Sequence, residues 1–219
     1  MKMLIIHATA SVLVLAMSSA HAASVSEVFT GGMLGTNQRY FESMAGIPRE
    51  SNGSEHVFRV QGCNITASIA NGSVTSLRLE LGPKCQADLT QFIGTYAPSP
   101  TAPLTVGAFN ESSGAGMSYA ADCLTMCGNA ADPVVYALWD GPHAANFRQV
   151  KLEVSLISDA AIAAADSWKN QMSKVEGDDY VMETKFNCDH KHDQAAEGAF
   201  KSVQVTAVTI GSELAIPGC

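Results

Sequence analysis

The chain has 219 residues, a formal net charge of −8, 47% hydrophobic residues and 16% charged ones. That length holds one compact domain or two small ones, and the apolar share is enough to bury a core, which excludes a disordered chain. The acidic balance excludes a nucleic-acid binder, because gripping phosphates takes clustered Lys and Arg; the composition is not that of a heptad or collagen chain either.

Residues 1–22 read as an export signal. Lys2 supplies the positive start, residues 4–17 are mostly apolar around His7, Thr9 and Ser11, and Ala20-His21-Ala22 is a small-x-small cleavage site. An uncleaved anchor is the alternative, but the apolar run is short for one. Cleavage before Ala23 would remove Lys2 and no acid, leaving the chain more acidic. No Cys follows the apolar run to carry a lipid, and no later stretch reaches the roughly 18 apolar residues of a spanning helix. The short start and the Ala-x-Ala site are bacterial in character. They predict a periplasmic or secreted protein with no membrane span after signal cleavage.

The chain after the signal divides at its Pro/Ser/Gly-rich stretch, residues 97–116, which holds Pro98, Pro100, Pro103 and the run from Ser112 to Gly116. This predicts an N-terminal helix-plus-hairpin unit at 23–96, a linker, and a C-terminal α+β unit at 117–219. In the first unit Thr36 is the expected N-cap of a helix with the stripe Tyr40, Phe41 and Met44, stopped by Gly46 and Pro48. A strand over 57–69 follows, with Cys63, Ile65, Ala67 and Ile69 on one face. A second covers 73–81, with Leu77, Leu79 and Leu81 aligned. A two-residue Asn71-Gly72 loop would put these apolar rows on opposite faces. A three-residue loop with left-handed Gly72 keeps one buried face and pairs Ile65 with Leu77 and Cys63 with Leu79. Gly82-Pro83 then turns the chain and brings Cys85 toward Cys63.

The second unit reads as a helix over 117–127, strands at 134–139 and 147–157, and a helix capped by Ser158 or Asp159. That helix buries Ala161, Ala165, Trp168, Met172 and Val175 and ends at Gly177. Strands over 180–188 and 201–210 follow, separated by a polar loop. The fold class is therefore α+β, helices packed on antiparallel β-sheet, with two loosely repeated helix-plus-hairpin units.

Gly35-Thr36 leading into a helix, Met44-Ala45-Gly46-Ile47-Pro48 after it, and a strand pair closed by Asn71-Gly72-Ser73-Val74 resemble the SmpA/OmlA-type envelope unit shared with β-lactamase-inhibitor-like proteins. The resemblance covers about residues 31–81. The family's lipid-attachment Cys has no counterpart here. What the resemblance implies is a non-catalytic protein-binding scaffold of the envelope; it assigns no binding residue.

Cys63, Cys85, Cys123, Cys127, Cys188 and Cys219 are an even set in a chain read as exported, so they predict disulfides, with Cys63–Cys85 preferred. On a helix, Cys123 and Cys127 would sit one turn apart and pair with Cys188 and Cys219; a distorted helix end would instead join them to each other. Their spacing departs from the Cys-x-x-Cys redox motif. His190 and His192, within Cys188-Asp-His-Lys-His-Asp, would share a face if the segment is extended, which makes them the candidate metal ligands; a solvated loop is the plainer alternative. A hydrolase would need His143 or the His190/His192 pair to meet Cys, Ser or Asp in a cleft, and no motif announces that. The Asn-x-Ser/Thr triplets at Asn52, Asn64, Asn71 and Asn110 read as turn chemistry, and Trp139 and Trp168 as core. No catalytic residue and no cofactor is assigned. The functional expectation is an exported, disulfide-stabilised bacterial envelope protein that binds or inhibits another protein, a basic one by charge. An exported hydrolase and a metal-binding periplasmic protein are the alternatives.

Overall fold

A computed structural model of the protein describes residues 23–114, 116–124, 133–182 and 186–219. Residues 1–22, read above as an export signal, and residues 125–132, with Cys127, lie outside the described residues. The strands are β1 (Glu50–Asn52), β2 (Glu55–Val60), β3 (Cys63–Ala70), β4 (Ser73–Glu80), β5 (Ser118–Ala121), β6 (Val134–Asp140), β7 (Gln149–Ser155) and β8 (Ala207–Gly211). They form one antiparallel sheet in the order β1-β2-β3-β4-β8-β7-β6-β5. The last strand of the chain thus sits between two meanders and makes them one sheet. The helices are α1 (Val25–Val28), α2 (Gln38–Ala45), α3 (Thr90–Ile93), α4 (Val106–Ser113), α5 (Asp159–Glu176) and α6 (Asp193–Phe200). This is the expected α+β class. α2 leads into β1–β4, and α4, inside the stretch read as a linker, leads into β5–β7.

Turn chemistry builds the first meander. Gln61 and Gly62 (φ 49° and 88°) close β2 onto β3, and Asn71 and Gly72 (φ 51° and 75°) close β3 onto β4. Two successive left-handed residues suit the twist of a two-residue hairpin. The single strand expected over 57–69 is therefore split by Gln61-Gly62. The expected register is corrected too. Ala70 pairs with Ser73, so the Asn71-Gly72 loop has two residues, not three. Ile65 then faces Leu79 and Ala67 faces Leu77, because a bulge between Ser68 and Ile69 shifts the pairing by one. The bulge restores the parity that the short loop would have broken, and the apolar rows stay on one buried face.

Helices cover that inner face. Phe41 of α2 meets Phe58 edge-on at 5.0 Å, Phe109 of α4 meets Trp139 at 6.0 Å, and Trp168 of α5 meets Phe200 of α6 at 6.1 Å. All join a single core with Val150, Leu152, Val154, Val208 and Ile210. Both Trp residues are buried, as expected.

Caps and ends needed several corrections. Asn37, not Thr36, caps α2 through its Oδ1, and Tyr40 is 49% exposed. Ser158 caps α5, while Val175 faces solvent. The helix expected at 117–127 is instead β5, whose Tyr119 and Ala121 point inward beside the bonds to β6. The strand expected over 180–188 is a one-turn helix at Tyr180–Met182 and an isolated bridge from Ala121 to Phe186. The polar loop after it gives way to α6, because Ala196 and Phe200, four residues apart, bury one helical face. The last strand starts only at Ala207.

Cys63 bonds Cys85 as predicted. Cys188 bonds Cys219, which overturns the pairing of both with Cys123 and Cys127. That pairing presumed a helix through residue 123, and β5 replaces it. Cys123 is also disulfide-bonded. Disulfides of this kind belong to proteins that mature outside the reducing cytoplasm. Among the described residues no helix is long and apolar enough to cross a membrane.

Candidate functional site

Among the described residues no helix lines the groove on the outer face of the sheet, which carries the alternate residues of each strand. On β2, β3, β4 and β7 these residues are largely polar, and they are not independent. Arg59 of β2 donates to Asn64 of β3 at 2.9 Å, and Asn64 donates to Glu80 of β4 at 2.7 Å. Arg78 donates to Glu80 at 3.2 Å and, through Nε and Nη2, to both oxygens of Glu153 on β7 at 2.8–3.0 Å. A polar ladder therefore crosses the sheet from β2 to β7. Burial alone would lower the Arg78 pKa, but its bonds to Glu153 and Glu80 outweigh burial and raise it. Small Ala207 and Thr209 on β8 leave room for Arg78 to reach across that strand.

Beside the ladder lies a groove of about 600 Å³. Thr66, Ser68, Ser76, Arg78, Lys151 and Thr209 are among its lining residues, as are Glu55 and Glu213. Glu55 and Lys151 sit on strands four spacings apart, about 19 Å in a flat sheet. A single groove takes in both, so the opening runs across the outer face from β2 to β7. Burial lowers the Lys151 pKa, against the pull of Glu153. Its ammonium donates to Ala215 at 3.0 Å and lies over the Tyr136 ring. Glu55 and Glu213 are exposed and make no side-chain hydrogen bond or ion pair among the described residues.

After β8 the chain doubles back over this face. Leu214 packs against Gly211, where a Cβ would meet it at 2.6 Å. The Leu214 amide donates to Gln149 at 2.6 Å, and Ile216 is buried on Ala120 and Tyr136, with Val134 and Leu138 beside them. Cys219 ends the segment in its bond to Cys188. Residues 212–215 form one wall of the groove.

The predicted metal pair lies elsewhere. The segment before α6 is a turn, not a strand, so His190 and His192 do not share an extended face. His190 has φ 59° and approaches Asp193 at 3.7 Å. His192 is buried, 3.2 Å from Glu176, with its ring against Tyr180 at 5.8 Å. Its carbonyl accepts from the Trp168 indole at 3.1 Å. Among the described residues no three His, Cys, Asp or Glu side chains are grouped as metal ligands. His143 stacks edge-on against Phe147 at 5.2 Å in the β6–β7 loop. His56 meets Ser51 at 2.9 Å across β1 and β2, outside the groove, and no carboxylate bonds it.

The ladder went unpredicted. Its only signal in the sequence is the polar half of each strand's alternation, and the strand order decides which of those residues meet. No protein-family model, curated protein or solved structure matches the chain.

Proposed function

We propose that this is a non-enzymatic binding protein of the bacterial envelope, exported by its N-terminal signal, that holds or inhibits a basic protein partner on the outer face of its sheet. The observation that carries the proposal is the groove: Arg78 of the ladder lines it, held in place by Glu153, and so do the exposed carboxylates Glu55 and Glu213, which make no side-chain hydrogen bond or ion pair among the described residues. Arg78, Glu80 and Glu153 are already bonded to one another, so little side-chain freedom is lost when a partner docks. The two free acids supply charge for a Lys or Arg to meet, and the net charge of −8 steers such a partner. Thr and Ser hydroxyls around them offer hydrogen bonds. The disulfides suit a small scaffold exposed to an oxidising compartment.

The test is a photo-crosslinking residue at Ser68 in the groove and another at Lys174 on α5, in the producing cell. A discrete protein adduct from position 68 alone, lost in a Glu55→Lys/Glu213→Lys chain, is expected. No adduct, or the same adducts from both positions, would refute the proposal.

A further inference from the structure

Residues 212–219 run over the outer face, with 212–215 lining the groove and Ile216 on Ala120 and Tyr136, and the Cys188–Cys219 bond holds the far end of this segment down. We propose that residues 212–219 are a redox latch: reduction of Cys188–Cys219 by a dithiol reductant lifts the segment and opens the groove toward β6 and β5. The importance of the latch rests on the reading of this face as a docking surface; its chemistry does not.

The segment is poorly held without the disulfide. Among the described residues it makes no strand pairing beyond Gly211. Its polar anchors to the sheet are the Lys151–Ala215 and Leu214–Gln149 bonds. Its one buried side chain is Ile216. A segment held by so few contacts opens readily. The sulfurs also differ in access. Cys219 is exposed, Cys188 and Cys85 are half-buried, and Cys63 is 1% exposed within the core, so the Cys188–Cys219 bridge has an exposed end and the Cys63–Cys85 bridge has none.

The exchange balances. A thiolate of the reductant attacks the Cys219 sulfur, the Cys188–Cys219 bond breaks, and Cys188 leaves as a thiolate that takes a proton. The reductant's second thiolate then attacks its own sulfur in the mixed disulfide and releases Cys219, which is protonated in turn. Two electrons pass to the protein, and the dithiol becomes a disulfide. Lifting the segment removes the groove wall at 212–215 and uncovers the apolar side chains Tyr136, Leu138 and Ala120. A partner that then fits adds an apolar contact to the acidic rim left at Glu55.

The experiment uses the full mature chain and dithiothreitol as the probe, with free thiols trapped by N-ethylmaleimide and located by mass spectrometry. Cys188 and Cys219 are expected to label before Cys63 and Cys85. Amides of residues 213–219 should then exchange at least tenfold faster, and footprinting of Tyr136 should rise severalfold, while β3, β4 and β8 keep their protection. A Cys188→Ser/Cys219→Ser chain should show the same pattern without reductant. Three results would overturn the latch: Cys63–Cys85 opening first, a segment still protected once Cys188–Cys219 is open, or loss of sheet protection along with it. None of these readouts involves a partner, so a missing crosslink would refute the docking role while leaving the latch standing.

Discussion

Arg78 on β4 and Glu153 on β7 are joined across the intervening β8, with Nε 3.0 and 2.9 Å from the two carboxylate oxygens and Nη2 2.8 Å from one of them. The pair ties the first meander to the second over the strand that links them. Glu153 is 7% exposed, so it depends on this partner. Replacing Arg78 by Met strands a nearly buried carboxylate. Because the Arg78 side chain is 33% exposed, the loss should be smaller than for a fully buried pair, about 2–3 kcal/mol in urea unfolding. Replacing both residues, Arg78→Met with Glu153→Leu, should recover most of it. A single variant within about 0.5 kcal/mol of the parent would mean the pair behaves like a surface ion pair.

Asp193, at the start of α6, predicts a pH dependence. Its Oδ1 accepts from the Tyr119 amide at 2.9 Å and from Asn187 at 2.8 Å. Burial raises its pKa, and these bonds do not fully offset it. The folded chain therefore holds this proton more tightly than the unfolded chain does. The ionised group opposes folding at neutral pH, and its contribution improves as pH falls through the folded pKa, levelling below the ordinary Asp value. Asp193→Asn keeps an acceptor and should be at least as stable at pH 7, with a shallower pH dependence on the acid side. Asp193→Ala leaves two donors unmet and should cost about 2 kcal/mol. Urea unfolding of the three chains at a series of pH values checks both; a steep Asn curve identical to the parent's would assign the dependence to another group.

Much of the inner face could be read before any coordinates, because a strand with one dry side shows its period directly. Cys63, Ile65, Ala67 and Ile69 alternate with Asn64, Thr66 and Ser68, and they point inward as expected. The register could not be read, since the bulge that shifts it involves Ser68 and Ile69, which carry no bulge signature. α6 was hidden because Ala and Gly dilute its stripe to Ala196 and Phe200. In the sequence β5 resembles a helix because Met117, Ala120 and Ala121 also fit a spacing of three and four. The candidate site was hardest. Arg59, Asn64, Arg78 and Glu80 meet within the β2–β4 meander, but Arg78 meets Glu153 only because β8 enters between β4 and β7, and such long-range order leaves no trace in local pattern.

Gly141 should resist substitution for a reason of space. A Cβ there would lie 2.5 Å from the Arg148 carbonyl oxygen and 3.0 Å from the Trp139 ring. Trp139 is fully buried, and the Gly141 amide itself donates to Arg148 at 2.9 Å, so neither neighbour can retreat freely. Gly141→Ala should cost about 2 kcal/mol through this overpacking. Gly32→Ala is the control, because nothing lies within 4 Å of the added carbon. Thermal unfolding should separate the two variants clearly, and equal midpoints would mean the β6–β7 loop gives way easily.

The Cys63–Cys85 and Cys188–Cys219 bridges should not contribute in the order their loop lengths suggest. Cys63–Cys85 spans 22 residues and Cys188–Cys219 spans 31. If a bridge acts only by restricting the unfolded chain, each is worth about 3–4 kcal/mol, the longer slightly more. Cys63 is anchored in β3, so opening its bridge frees the unfolded chain while the folded sheet gains little motion. Opening Cys188–Cys219 also frees the terminal segment in the folded protein, and that gain in native entropy cancels part of the cost. Cys63→Ala/Cys85→Ala should therefore lose about 3 kcal/mol and Cys188→Ser/Cys219→Ser only about 1–2 kcal/mol in equilibrium unfolding. Equal losses would show that the segment over the outer face keeps its place through its own contacts, with the disulfide acting on the unfolded chain alone.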